Sequence, residues 1–544
     1  MLSQKTTERL VKILKLDLAR AKNMRLPGFP KTYFCSFLLR DTRWFNTWAR
    51  GGSVVRRRAD HTRNVLCDLR VGSYRYDQVM NGGLDDNNEE LESFNHVSMP
   101  IDDADYEGLR ISIWRLLEAK YREAVADYLS RRNKSLSSVD QNEDLVSFTK
   151  LPPIKHIEYK QPERVYEDYW VKYCKEASAW ITRLKGVSGG WTEFDSMHIT
   201  KIFLSTEGSV IVQQQQVYQL IAAMRNITKE GANPEQDLVF NVGSLKELPD
   251  LPTFKKLLRE KHRKLINISR TKRIHSFSGP ALLYPIPAGI MLHEALGHRL
   301  EGSRFLSSYE GRTFEGQFGK RILDAKLTIR DNPRLKKFNG KNCIGAYDFD
   351  DEGCPSLDTV LVENGILKGS LSTRAALHKR GFVPNGHARG KKHERPISRM
   401  AVFIAEGAEP KSLEELKQML LDEVKAQGKS YGVIIYETTG GETGTTRHEF
   451  QGFQGEISYA TVIYPNGKEL TVTGVDFVGT PMQALNNIIA VGEEREMNNG
   501  YCGAESGFIP ITTISPALLL SNLELQARGE VLVTPFILPR PRKT

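Results

Sequence analysis

Residues 288–302 read AGIMLHEALGHRLEG. The stretch sets two imidazoles, His293 and His298, and the carboxylate of Glu294 on one short apolar segment. Imidazole nitrogen is a good zinc ligand, and a carboxylate that is not itself a ligand can take a proton from a water the metal activates. The pattern is H-E-x-x-x-H, one residue longer than H-E-x-x-H. On a regular helix, residues four apart are displaced by about 40° in projection and residues five apart by about 140°. Two histidines at this spacing can share a metal only if the turn widens, as in a π-bulge, or the helix breaks. Gly297, directly before His298, lowers the cost of such a distortion. The competing reading is a core helix with Ile290, Met291, Leu292, Leu296 and Leu300 inside and both histidines satisfied by backbone groups.

Around this stretch the texture is β-rich. Beyond residue 275 come glycine-rich turns and many short strands, with helical patterns only at 288–300, 413–427 and 481–489. Upstream, 252–267 reads as a helix bridging to what precedes it. The N-terminal part opens on an amphipathic helix at 6–22, with Leu10, Ile13, Leu14 and Leu18 on one face. Strand-like runs follow at 33–39, 43–49, 53–58 and 63–71, with a hairpin turn at Gly51-Gly52. Helical stretches at 106–132 and 167–184 lead to further strands at 190–199, 201–206 and 209–218. The expectation is an α+β protein: a mixed α/β domain over 1–274, then a β-rich domain over 275–544 carrying the metal-site helix.

The 544 residues are 40% hydrophobic and 26% charged, as in a globular protein, and contain no apolar run long enough for a membrane helix. The first residues are charged every few positions, unlike a secretory signal. Six scattered cysteines without a C-x-x-C fit a reducing cytoplasm. The formal charge of +10 concentrates at 56–58, 255–273 and the C-terminus. It leaves a nucleic-acid-binding regulator as an alternative, but no zinc finger, RNP motif or helix-turn-helix signature accompanies it.

Four blocks of the C-terminal half, taken together, resemble the TldD/PmbA family of metallopeptidases. They are HEALGHRLEG at 293–302, YDFDDEGCPSLDTVLVENGILKGSL at 347–371, Arg399-Met400 after the glycine-basic stretch from Gly386, and NNGYCGAESGFIPITTISPALLLSNLEL at 498–525. The likeness spans roughly 275–530, and residues 81–145 look like an insertion relative to shorter members. It implies a divalent metal, most simply zinc, held by His293, His298 and Cys502, with Glu294 as general base. It further implies peptide or unstructured-segment substrates. The family also has a partner type lacking the histidine motif, so a homodimer or a heterodimer with a PmbA-like chain is expected, without membrane or nucleic acid. Without the likeness, Cys343, Cys354, His387 and Asp350 compete with Cys502 as third ligand. The flanking Gly500 and Gly503 would let the backbone at Cys502 approach a metal closely.

Other residues draw attention. The basic stretch 385–395, with His387 and Arg389, could clasp a peptide or be a surface loop; Arg399 and Thr443 join them as substrate-binding candidates. The glycine- and threonine-rich 439–447 reads as a turn-rich rim. Asp348, Asp350, Asp351 and Glu352 could suit a hard cation but fit a structural turn better. Glu301 could accept an imidazole N–H. The reading is a metal-dependent peptidase, the alternative a non-catalytic scaffold subunit of the same fold.

Overall fold

The N-terminal half is organised on a six-stranded sheet whose longest members are β1 (Thr32–Arg50) and β2 (Ser53–Val71). The structure, a computed structural model, describes residues 1–79, 98–137, 146–271, 273–307, 309–323, 327–375, 383–391, 395–448, 450–529 and 533–534. β1 and β2 pair antiparallel across Gly51 and Gly52, whose φ angles of +61° and +89° suit the two-residue turn that follows the strand twist. The four short runs expected here are two 19-residue strands. The polar residues that seemed to interrupt them stay in the ladder: buried Asp41 accepts from Arg63 Nε at 2.9 Å and lies 3.0 Å from His61 Nε2. Next come β3 (Gly189–Ser205), β4 (Val210–Arg225) and β5 (Glu235–Val242). Spatially the order is β2-β1-β3-β4, with β5 and the short parallel strand Lys155–Ile157 sharing the far edge of β4.

The alternation of β1 shows what the sheet separates. Cys35, Phe37 and Leu39 pack in one cluster with α1 (Gln4–Ala21) and α2 (Glu107–Ser137). Further along, Phe45 and Ala49 pack with α3 (Glu167–Ile181) and α4 (Leu251–Ile268). The opposite parity, Leu38 and Arg40, meets Phe349 and Asp351 of the C-terminal half. So helices cover one face and the rest of the protein covers the other. The loop expected at 81–95 lies outside the described residues, as does most of that at 133–145.

A second sheet uses strands from β6 (Ser276–Leu283) onward. Five of its strands close on themselves: β6, β7 (Gly432–Thr443), β8 (Phe453–Ile463), β9 (Val475–Gly479) and a long final strand that pairs back with β6. β10 (Ile488–Cys502) runs antiparallel to that final strand, β11 (Ile509–Ala527), bringing Cys502 opposite Ile509. Packed against β11, β7 and β8 is α5 (Pro285–Leu292), which leads into the histidine motif. Met291, Leu292, Leu296 and Leu300 are fully buried in the largest apolar cluster, with Phe403 and Leu518. The two halves are bolted together by ions: Lys261 and Lys264 of α4 both reach Glu437 on β7. Among the described residues no helix is long and apolar enough to cross a membrane.

Candidate metal centre

The α-helix stops at Leu292, and His293–Gly297 is wound as a π-turn, followed by one 3-10 turn at His298–Leu300. This is the widening that the five-residue spacing demanded. The backbone at Gly297 is ordinary right-handed helix (φ −55°), so freedom at φ > 0 is not why glycine stands there. The need is space. A Cβ on Gly297 would come 2.2 Å from Sδ of Met400, which packs directly on the turn.

The widened turn brings the imidazoles together and β10 brings the sulfur. Cys502 Sγ lies 3.3 Å from Nε2 of both His293 and His298. The three potential ligand atoms all fall within 4.8 Å of one another, and all three residues are buried. Ligands about 2.0–2.3 Å from a tetrahedral zinc stand roughly 3.3–3.6 Å apart. The donor set fits a zinc-type ion. Burial alone would keep the Cys502 thiol protonated, but the two facing imidazoles hold it well below its ordinary pKa. The charge that burial opposes at His298 is favoured by Cys502 and Glu301, so that ring is pulled toward its protonated form in the metal-free geometry.

His298 is oriented by Glu301, whose Oε2 is 3.2 Å from Nδ1. Glu301 is fully buried yet held down at about 2, because His298 and Arg304 outweigh desolvation. His293 differs: its Nδ1 is buried without a hydrogen-bond partner, and its ring stands edge-on to His298, centroids 4.8 Å apart. Glu294 Oε2 is 4.0 Å from His298 Nε2, and burial raises its carboxyl above the usual range. These groups open onto a cleft of about 810 Å³, walled on one side by Thr438–Thr443 and on another by Gln219, Asp237 and Asn241 of the N-terminal sheet.

The structure brings Thr443 to the cleft, where its hydroxyl accepts from Arg299 Nη1 at 2.6 Å. It does not bring His387, Arg389 or Arg399 there. His387 is fully buried between Asn385 and Asp331, at 2.8 and 3.2 Å. Arg389 donates to the carbonyls of Met400 and Pro510. Arg399 donates to the carbonyls of Cys502 (2.7 Å) and Gly507 and to Ser506 Oγ. The basic stretch is thus neither clasp nor surface loop where it is described; it braces the segment that presents Cys502. The acidic cluster is likewise structural: Asp350 accepts three backbone N–H groups, and Asp351 pairs with Arg40 and Lys201. Arg299 becomes a site residue only through its tertiary contacts. Its guanidinium donates to the Glu294 carbonyl at 2.7 Å and to the carbonyls of Gly444 and Gln451. A basic residue after the second histidine was the available signal.

The chain is similar to several known proteins. A metalloprotease of Methanothermobacter thermautotrophicus is 26% identical over 340 residues, 62% of this chain and 69% of that protein. A zinc metalloprotease TldD homolog of Saccharolobus solfataricus is 24% identical over 279 residues, 51% of this chain and 58% of that protein. Other curated relatives are matched over about half of their own length. In shape, the chain is similar to TldE of Thermococcus kodakarensis, with a TM-score of 0.59 at 14% identity, covering 96% of this chain and all of that one. Residues 277–527, the barrel with its histidine turn and its cysteine, match the PmbA/TldA metallopeptidase C-terminal domain, and this part of the chain is a domain of the TldD/PmbA family.

Proposed function

We propose that the chain is a zinc-dependent peptidase acting on peptides or unstructured protein segments. The observation that carries the reading is the meeting of His293, His298 and Cys502 at 3.3 Å sulfur–nitrogen distances beside the buried carboxylate of Glu294. When bound, a divalent cation there supplies Lewis acidity toward a carbonyl oxygen and acidifies water. The remaining steps belong to side chains. His293 Nε2, His298 Nε2 and Cys502 Sγ hold the ion, with Glu301 fixing the His298 ring. Glu294, desolvated and therefore basic, takes a proton from the attacking water and returns it to the departing amine. The strand edge at Thr438–Thr443 lies along the cleft and offers backbone groups to an extended peptide.

The division at about residue 275 is functional in this reading: the second part carries the ligands, and the first supplies one wall of the cleft. The six cysteines, all free, are in keeping with a reducing cytoplasm. The relative named TldD homolog and the fold shared with TldE support assembly as a dimer, either of two copies or with a PmbA-like chain. Peptide cleavage by wild type and Glu294→Gln, alone and with such a chain co-expressed, tests the proposal. The variant should keep its metal and lose at least about 100-fold in kcat, the scale of general acid–base catalysis. Equal turnover, or a wild type that purifies without metal and cannot take it up, would leave the scaffold reading instead.

A further inference from the structure

The cleft and the protein carry opposite charge. The whole chain is formally +10, yet the residues lining the cleft include five carboxylates and only two cations. Both cations are already engaged: Lys261 on Glu437 at 2.9 Å, and Arg304 on Glu505 at 3.0 Å as well as on Glu301. Glu294 belongs to the chemistry, and Glu442 accepts from Gln454 Nε2. Asp237 is left. It sits on β5, on the wall opposite the metal ligands' own domain. Its Oδ1 is buried and has no hydrogen-bond partner, although the carboxyl shares a hydrogen bond with Glu235, and it forms no ion pair among the described residues. Its neighbour Glu235 is taken up by Arg225 at 3.0 Å. A partly buried carboxylate with one oxygen orphaned and another carboxylate as its neighbour is costly to charge unless a cation completes it.

We infer that Asp237 is a specificity residue, which receives a cationic side chain, lysine or arginine, of the peptide bound in the cleft. The inference rests on the peptidase reading and narrows its substrate class. Burial, reinforced by Glu235, raises the Asp237 carboxyl to about 6, so at neutral pH it is mostly charged and poorly solvated, the state a substrate ammonium or guanidinium relieves. Lys261 lies near enough to favour the charged form, but it is turned onto Glu437. Opposite charges meeting at such a partly desolvated surface change affinity by about tenfold.

The test uses quenched-fluorescence peptides that differ only in lysine or arginine against glutamine. Wild type should show a kcat/KM about tenfold higher for the cationic peptides, carried mainly by KM and weakened by salt. In Asp237→Asn the ratio should fall to near one. A wild type without preference, or an Asp237→Asn protein that keeps it, overturns the assignment. If wild type cleaves neither peptide, alone or with a PmbA-like chain co-expressed, the peptidase reading fails. The assignment is then decided by fluorescence anisotropy of the same peptides on wild type and Asp237→Asn: a charge preference lost in the variant supports it, and equal binding overturns it.

Discussion

Cys502 shows what a single side chain here owes to distant ones. Its sulfur faces two imidazoles, and its carbonyl is held by Arg399 at 2.7 Å. Cys502→Ala should weaken Co²⁺ binding at least about tenfold and abolish the thiolate absorption of the Co²⁺ complex, read by titration, with the fold intact by circular dichroism. The two histidines and the glutamate were legible as a motif because their chemistry is written in local spacing. Cys502 emerged only through family likeness, since its partners are about two hundred positions away in the chain. The role of Arg399 was not legible at all: nothing local distinguishes an arginine that grips a substrate from one that grips a carbonyl. Asp195 gives a residue-level prediction on stability. Burial, partly offset by Asn46, raises its carboxyl to about 6. A folded-state value above the unfolded one means the unfolded chain releases the proton first, so stability falls as pH rises from about 4 to 6. Asp195→Asn, still able to accept from Trp44 and Asn46, should therefore stabilise the protein by about 1–3 kcal/mol at pH 8. The gain should vanish below pH 4 in urea denaturation.

At the scale of elements, the π-turn is the part the chain had to distort. The five-residue spacing made the distortion foreseeable, but what stabilises it was hidden in tertiary contacts. Arg299 caps the Glu294 carbonyl inside the turn and ties it to the rim at Thr443, Gly444 and Gln451. Arg299→Met should leave those acceptors unsatisfied, loosen Co²⁺ binding about tenfold and lower kcat more than it raises KM, with Arg299→Lys recovering part of both. Across the cleft, a Cβ at Gly441 would stand 2.8 Å from Cγ of Glu294 and from Cγ2 of Ile290. Gly441→Ala should displace the carboxylate, reducing kcat about tenfold or more while metal content stays stoichiometric. The N-terminal strands were harder to read. Apolar alternation breaks at Arg40 and Asp41, and only the partner strand's arginine and histidine reveal that the ladder continues.

For the whole molecule, the α+β class was legible because each half keeps its own texture of helix and strand. Closure of the second sheet was not, because β6 pairs with β11 across more than two hundred residues, and local pattern says nothing about such registers. The contact between halves includes an ionic joint under the first sheet, beside the packing of Phe349 on Leu38. Asp351 accepts Arg40 at 2.9 Å and Lys201 at 2.7 Å, and the two cations keep its carboxyl ionised despite complete burial. Asp351→Ala strands both cations and should cost about 3–5 kcal/mol in urea denaturation. Because Asp237 and Asn241 of the first half line the cleft, loss of this joint should also blunt peptide binding.

The pairing of β10 with β11 has a consequence in time. A ribosome that has delivered His293 and His298 must add some two hundred further residues before the sulfur exists, and then the strand that places it. Until β11 zips alongside, an unfinished or misassembled chain has imidazoles with nothing to complete them. The three-ligand cluster is therefore completed last, once almost all of the second half has been synthesised and β11 is in place.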